Sequence, residues 1–239
     1  MNVGLILAGG GVKGAAHIGA IKALQEENIH FNYIAGTSSG SIVAALYALG
    51  YTPEEMYKIF KTYMSKIHYV SFKNIIKAIY GLIFKRKFIL SGLNDGKVLE
   101  KIVAKLSADK NIYNINEIRM PLAIPSVDLC TGKVIVFSSK KILKSKAQNE
   151  LIINNVPIGK AVRSSCSYPG VFSPVKYNKM HLVDGGVKRN IAWQEVKMLG
   201  ADKTVCITFE SKYSGTCNDN IIDNVKESAQ RTVSKIIST

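Results

Sequence analysis

The sequence predicts an α/β fold around a mainly parallel sheet. Three observations predict it: short apolar runs that end in glycine, helix-spaced apolar residues between them, and alternation of the two through the first fifty residues. Val3-Gly4-Leu5-Ile6-Leu7-Ala8 is apolar without alternation, which suits a strand covered on both faces. From Ala15 onward, Ile18, Ile21 and Leu24 recur at helical spacing. Tyr33-Ile34-Ala35 reads as a second strand ending at Gly36. Ser41 to Leu49 reads as a helix with Ile42, Val43, Leu46 and Leu49 on one side and Gly50 as its stop. Strand, helix, strand, helix in this order calls for parallel strands joined by right-handed crossovers.

The remaining elements follow from local signals. Thr52-Pro53-Glu54-Glu55 opens a helix, with Thr52 as cap, Pro53 in the first turn and Glu55 closing a capping box. Asp95 to Ser107 is a helix expected to face Val98, Leu99, Ile102, Val103 and Leu106 inward. The stretch PLAIPSVDLCTGKVIVFSS reads as two strands around a Thr131-Gly132 turn. Ile158 to Cys166 is a short helix stopped by Pro169-Gly170, and Met180 to Asp184 a strand ending at Gly185-Gly186. Thr204 to Phe209 is a late strand, and the polar tail from Asn218 reads as a final amphipathic helix. Without an internal repeat or a linker, residues 1–239 are expected to form a single domain.

Composition narrows the function classes. At 47% hydrophobic and 21% charged residues, long disorder is excluded. No apolar run reaches the roughly eighteen residues of a membrane span, and MNVGLILAGGG lacks a basic leader. The formal net charge of +15 favours anionic partners: nucleic acid, an acidic membrane surface or anionic substrates. No acidic residue lies between Glu55 and Asp95, a gap holding Lys58, Lys61, Lys66, Lys73, Lys77, Lys85, Arg86 and Lys87. Within it, FKNIIKAIYGLIFKRKFIL places Phe72, Ile75, Ile76, Ile79 and Ile83 on one helical face. Residues 68–92 are therefore expected to be a lid or membrane-contact insertion, with basic residues 58–87 against an anionic membrane; an ordinary core helix stays open as the alternative. No nucleic-acid-binding motif accompanies the charge, so no nucleic acid is expected as partner. Cys130, Cys166, Cys206 and Cys217 lack zinc-ligand spacing, and no metal is expected. They read as small reduced core residues in a cytoplasmic protein, one that sits peripherally at the membrane if the basic stretch binds there.

Two glycine-rich corners carry the chemistry. Gly9-Gly10-Gly11-Val12-Lys13-Gly14 lies between a strand and a helix, where backbone N–H groups converge on an anion. It also matches the dinucleotide fingerprint, but the acidic residue expected about twenty positions on is missing from the second strand. A non-catalytic dinucleotide- or anion-binding module is the alternative function this loop leaves open. The second corner, Gly36-Thr37-Ser38-Ser39-Gly40, is a G-x-S-x-G pattern between strand and helix, as a serine nucleophile needs. Ser38 is equally readable there as a helix cap. Beside a nucleophile, the first loop can supply oxyanion donors, with Lys13 adding charge. As for a base, His17, His30, His68 and His181 have no base-like context. His181 precedes Asp184 by three in a strand, which sends the two to opposite faces. Asp184, at a strand end before two glycines, can project into a cleft or simply form the turn.

Taken together, these residues resemble the patatin-like phospholipase family. The matches are GGGVKG at Gly9–Gly14, GTSSG at Gly36–Gly40, SVDLCTGKVIVF at Ser126–Phe137, AVRSSCSYPGVFSPV at Ala161–Val175 and DGG at Asp184–Gly186. Their order is more specific than any one of them, and they cover roughly residues 3 to 210. The resemblance implies a three-layer α/β/α fold and a Ser38–Asp184 dyad acting on lipid esters without cofactor, metal or histidine. It implies an oxyanion hole from Gly10 and Gly11, with Gly9 and Lys13 nearby. Elbow and turn glycines would be Gly36, Gly40, Gly185 and Gly186. An aspartate base near its usual pKa of about 3.9 would be weak, so burial is expected to raise it. Departures are Ala8, where many members carry aspartate, Lys13, where many carry arginine, and Asn190-Ile191-Ala192 in place of N-x-P. They put substrate preference in doubt.

Overall fold

The computed structural model describes residues 2–63, 94–142 and 149–209. The expected insertion over 68–92, His68, Cys217 and the expected C-terminal helix lie outside the described residues.

In chain order the described elements begin with β1 (Val3–Leu7), α1 (Ala16–Glu26), β2 (Tyr33–Gly36), α2 (Ser39–Ala48) and α3 (Pro53–Tyr63). They continue with α4 (Lys97–Ala108), β3 (Leu122–Asp128), β4 (Val134–Ser138), β5 (Glu150–Ile153) and α5 (Ile158–Ser165). The last are β6 (Val175–Tyr177), β7 (Met180–Asp184), α6 (Trp193–Leu199) and β8 (Lys203–Ile207). The glycine loop runs into a 3₁₀ turn over Gly11–Ala15 before α1 begins. The expected capping box forms at α3: Thr52 N–H donates to Glu55 Oε2 at 2.8 Å and Glu55 N–H to Thr52 Oγ1 at 3.2 Å.

The strand order is β5-β4-β3-β2-β1-β8, with β7 on β3 and β6 on β7. β8, β1, β2 and β3 run parallel, as do β4 and β5, whereas β3 is antiparallel to β4 and β7. Alternate residues of each central strand enter different cores. Leu5, Leu7, Ile34, Leu122, Ile124, Ile135 and Phe137 pack with α1 to α5 through Ile18, Leu46, Met56, Val103 and Val162. Ile6, Ala35, Ala123, Val134 and Val136 pack with Val196 and Leu199 of α6. Burial on both faces explains why these strands are uninterrupted apolar runs, and it makes the fold a three-layer α/β/α sandwich.

One consequence of the topology positions the site. β4 covers one edge of β3 from Ala123 to Val127, so β2 and β7 share the other edge. There β2 pairs with Leu122 and Ala123, and β7 with Ser126 to Asp128. Because β2 is parallel to β3 and β7 antiparallel, the two strands point their C-terminal ends at one another. Whatever follows Gly36 meets whatever ends β7.

Two sequence expectations are corrected. Val98 is 45% exposed, because the buried stripe of α4 runs through Leu99, Val103 and Leu106 and leaves Val98 beside it. Cys130 and Cys206 are free but exposed, so they are not core residues; Cys166 is free and only partly covered.

Candidate active site

Ser38 occupies the corner between β2 and α2 with φ 52 and ψ −126, a region non-glycine residues avoid. The surrounding chain enforces it. Ser38 N–H donates to Ser165 Oγ at 3.0 Å. Its carbonyl accepts from Ser41 N–H at 2.8 Å, Ser41 Oγ at 2.6 Å and Cys166 Sγ at 3.1 Å. Glycine is required on both sides: a Cβ on Gly36 would collide with the Gly40 carbonyl, and one on Gly40 with the Leu7 carbonyl of β1. The corner therefore packs against its own helix and against the neighbouring strand. Ser38 makes no side-chain cap bond to α2, so the capping reading is overturned. Its Oγ donates instead to Asp184 Oδ2 at 2.6 Å.

Asp184 is the last residue of β7 and is buried, while Ser38 stays partly accessible. Its N–H donates to the Ser167 carbonyl at 2.9 Å, and its Oδ1 accepts from Gly186 N–H at 2.7 Å. Burial pushes the carboxyl up to about 6, against the opposing pull of hydrogen bonds from Ser38 and Gly186. Gly185 has no room for a side chain, since a Cβ there would meet the Pro125 carbonyl of β3.

The glycine loop lies against this pair: a Cβ placed on Gly9 would sit 3.0 Å from Ser38 Cβ. Gly9 N–H donates to Asn190 Oδ1 at 3.0 Å and Gly10 N–H to Ser39 Oγ at 3.1 Å. Gly11 has φ 58, and its N–H has no partner among the described residues. The Lys13 side chain is exposed, and its N–H donates to the Gly10 carbonyl at 3.1 Å. Beneath the loop, buried His17 places Nε2 2.8 Å from the Ala8 carbonyl; desolvation holds its pKa below the usual histidine range. Segment 189–190 ties both corners together: the Arg189 carbonyl accepts from Thr37 Oγ1 at 2.8 Å, and Asn190 holds Gly9. Arg189 is itself anchored through an ion pair with Glu150.

Thus Ser38, Asp184, Gly9, Gly10, Gly36, Gly40, Gly185 and Gly186 come together around one corner, while Gly11 and Lys13 follow along the loop and are exposed. None of the described histidines hydrogen-bonds Ser38 or Asp184. His30 is exposed, and His181 Nδ1 is 3.6 Å from Cys130 Sγ. Among the described residues no group of three or more His, Cys, Asp or Glu is placed to hold a metal. No helix of the described residues is long and apolar enough to cross a membrane. Sequence reasoning missed the supports Ser39, Ser165, Cys166, Ser167 and the bond from Asn190. The clustered hydroxyls of Arg163-Ser164-Ser165-Cys166-Ser167 were the available signal, since small polar residues ending a helix commonly serve backbone groups nearby.

Known proteins resemble this chain in the same region. The uncharacterized protein YqhO of Bacillus subtilis is 31% identical over 201 residues, which are 80% of this chain and 65% of that protein. Lysophospholipase NTE1 of Meyerozyma guilliermondii is 26% identical over 205 residues, 86% of this chain and 12% of that protein. The chain thus spans less than two thirds of either relative. In fold it is similar to VipD from Legionella pneumophila, with a TM-score of 0.51 at 16% identity over 96% of this chain and 52% of VipD. The sequence profile of the patatin-like phospholipases matches residues 5–197, from β1 through the glycine loop, both strand ends and most of α6. With four fifths of its length inside that match, the chain belongs to the patatin-like phospholipase family.

Proposed function

We propose that this chain is a serine acyl hydrolase that cleaves ester bonds of phospholipids or other lipids through a Ser38–Asp184 dyad. The observation that carries this reading is the 2.6 Å bond from a positive-φ serine to a buried carboxylate, beside a glycine loop. A carboxyl pushed up to about 6 is mostly ionised at neutral pH yet more basic than an ordinary aspartate, which suits proton transfer.

In the acylation step Ser38 Oγ attacks the ester carbonyl carbon while its proton passes to Asp184 Oδ2. The tetrahedral oxyanion is held by loop N–H groups, Gly11 first, since its donor has no partner among the described residues, and Gly10 once Ser39 Oγ yields. One such donor is worth about 3 kcal/mol to the transition state. Collapse breaks the ester C–O bond, and the alcohol leaves with the proton from Asp184. A water then gives its proton to Asp184 and attacks the acyl carbon. The second collapse returns the proton to Ser38 and frees the fatty acid.

The basic residues between 58 and 87 are read as the contact to an anionic membrane surface, where a cytoplasmic protein would sit peripherally. Lys58 and Lys61, the two on α3, are exposed. Ser38→Ala and Asp184→Asn test the chemistry on a short-chain p-nitrophenyl ester and on a lipid panel read by mass spectrometry. Both should lose at least about a thousandfold in kcat, because groups acting as a unit fall together. Parent activity in either variant contradicts the mechanism.

A further inference from the structure

We infer that Ser165, at the C-terminal end of α5, is a positioning residue that holds the Ser38 backbone in its reactive conformation. The inference rests on the dyad reading above.

A serine at φ 52 relaxes unless both its peptide groups are restrained. The Ser38 carbonyl has three donors: Ser41 N–H, Ser41 Oγ and Cys166 Sγ. The Ser38 N–H has one acceptor among the described residues, Ser165 Oγ at 3.0 Å, and Ser165 is fully buried. No water can replace it there without opening the packing. The same short turn also reaches the base, since the Ser167 carbonyl accepts the Asp184 N–H at 2.9 Å. Residues 165–167 therefore span both partners of the 2.6 Å Ser38–Asp184 bond. They set the separation of two chain ends that meet along β3 but are not otherwise joined by backbone bonds.

The turn is rigid for its own reasons. Ser164 Oγ and Ser167 Oγ return to the Lys160 and Arg163 carbonyls at 2.8 Å each, so their hydroxyls are already engaged in ending α5. Ser165 alone among the three serines turns its hydroxyl to another segment. The Cys166 thiol, enclosed although the residue keeps some exposed surface, is driven up by burial and by the Asp184 charge. It stays protonated and remains a donor to Ser38.

The experiment compares Ser165→Ala, Ser165→Thr, Cys166→Ala and Ser38→Ala in the full chain. It measures kcat and KM on a short-chain p-nitrophenyl ester, melting temperature, and folded fraction by circular dichroism. Ser165→Ala should lower kcat by about 100-fold, the scale of a misplacement near 1 Å, with KM within about twofold. Ser165→Thr, which keeps the oxygen, should recover about tenfold of that, and Cys166→Ala should lose less than Ser165→Ala because two donors to the Ser38 carbonyl remain. If Ser165→Ala does not fold, Ser165→Cys, a weaker acceptor, takes its place in the comparison. Parent kcat in the acceptor-poor variant, or a loss that merely follows the folded fraction, overturns the inference. Parent kcat in Ser38→Ala instead overturns the dyad itself, so the two failures are distinguishable.

Discussion

Replacing Asp184 by Asn should stabilise the fold while abolishing activity, and the gain should depend on pH. The carboxyl is buried and its pKa stands at about 6 rather than the ordinary 3.8. The folded state therefore holds a proton over a range where the unfolded chain has released it. Stability associated with this group is fully present below pH 4 and is lost as pH rises through 6. Two units at 1.36 kcal/mol each make the ionised, buried form about 3 kcal/mol unfavourable at pH 8. Asn is isosteric, accepts from Gly186 N–H as Asp184 does at 2.7 Å, and carries no charge to desolvate. For a chain of 239 residues the gain corresponds to about 6–12 °C in Tm at pH 8, shrinking towards zero at pH 4. Thermal unfolding followed by circular dichroism at pH 4, 6 and 8 reads it directly. An Asn variant that is less stable than the parent at pH 8, or one stabilised equally at all three values, refutes the reasoning.

Three further outcomes follow. kcat/KM for the p-nitrophenyl ester should rise with pH through an apparent pKa near the 6 of Asp184, because the base must be ionised; a profile flat from pH 5 to 8 contradicts this. Gly40→Ala should destabilise by more than about 3 kcal/mol in urea unfolding, since its methyl would meet backbone oxygens of Leu7 and Ala8 that cannot turn aside. His181→Ala should keep kcat within about twofold, because His181 faces Cys130 and touches neither Ser38 nor Asp184.

Legibility in the sequence followed burial. β1 and β2 were readable because strands covered on both faces are continuous apolar runs, and α3 because its capping box is a local code. β5 and β6 were not: Glu150–Ile153 and Val175–Tyr177 are short and carry Glu or Lys, so no period stands out. The seven residues of α6 are too few to show one. Ser38 and Asp184 were each visible as a residue type at a glycine-flanked corner, each with a bland alternative. Their meeting was not visible in spacing, because they lie 146 positions apart and are brought together by the pairing of β2 and β7 on one edge of β3. Which backbone groups Ser165 and Asn190 hold depends on the same long-range register, although the clustered serines at 164–167 mark that segment locally.

In the proposed mechanism the opposed ends of β2 and β7 make one catalytic unit of Ser38 and Asp184. Labelling by a fluorophosphonate probe, mapped by peptide mass spectrometry, tests it most directly. One adduct is expected, on Ser38, forming at pH 7.5 at a rate that falls at least about a hundredfold in Asp184→Asn. An adduct on another serine, or undiminished labelling of Ser38 in that variant, would contradict it.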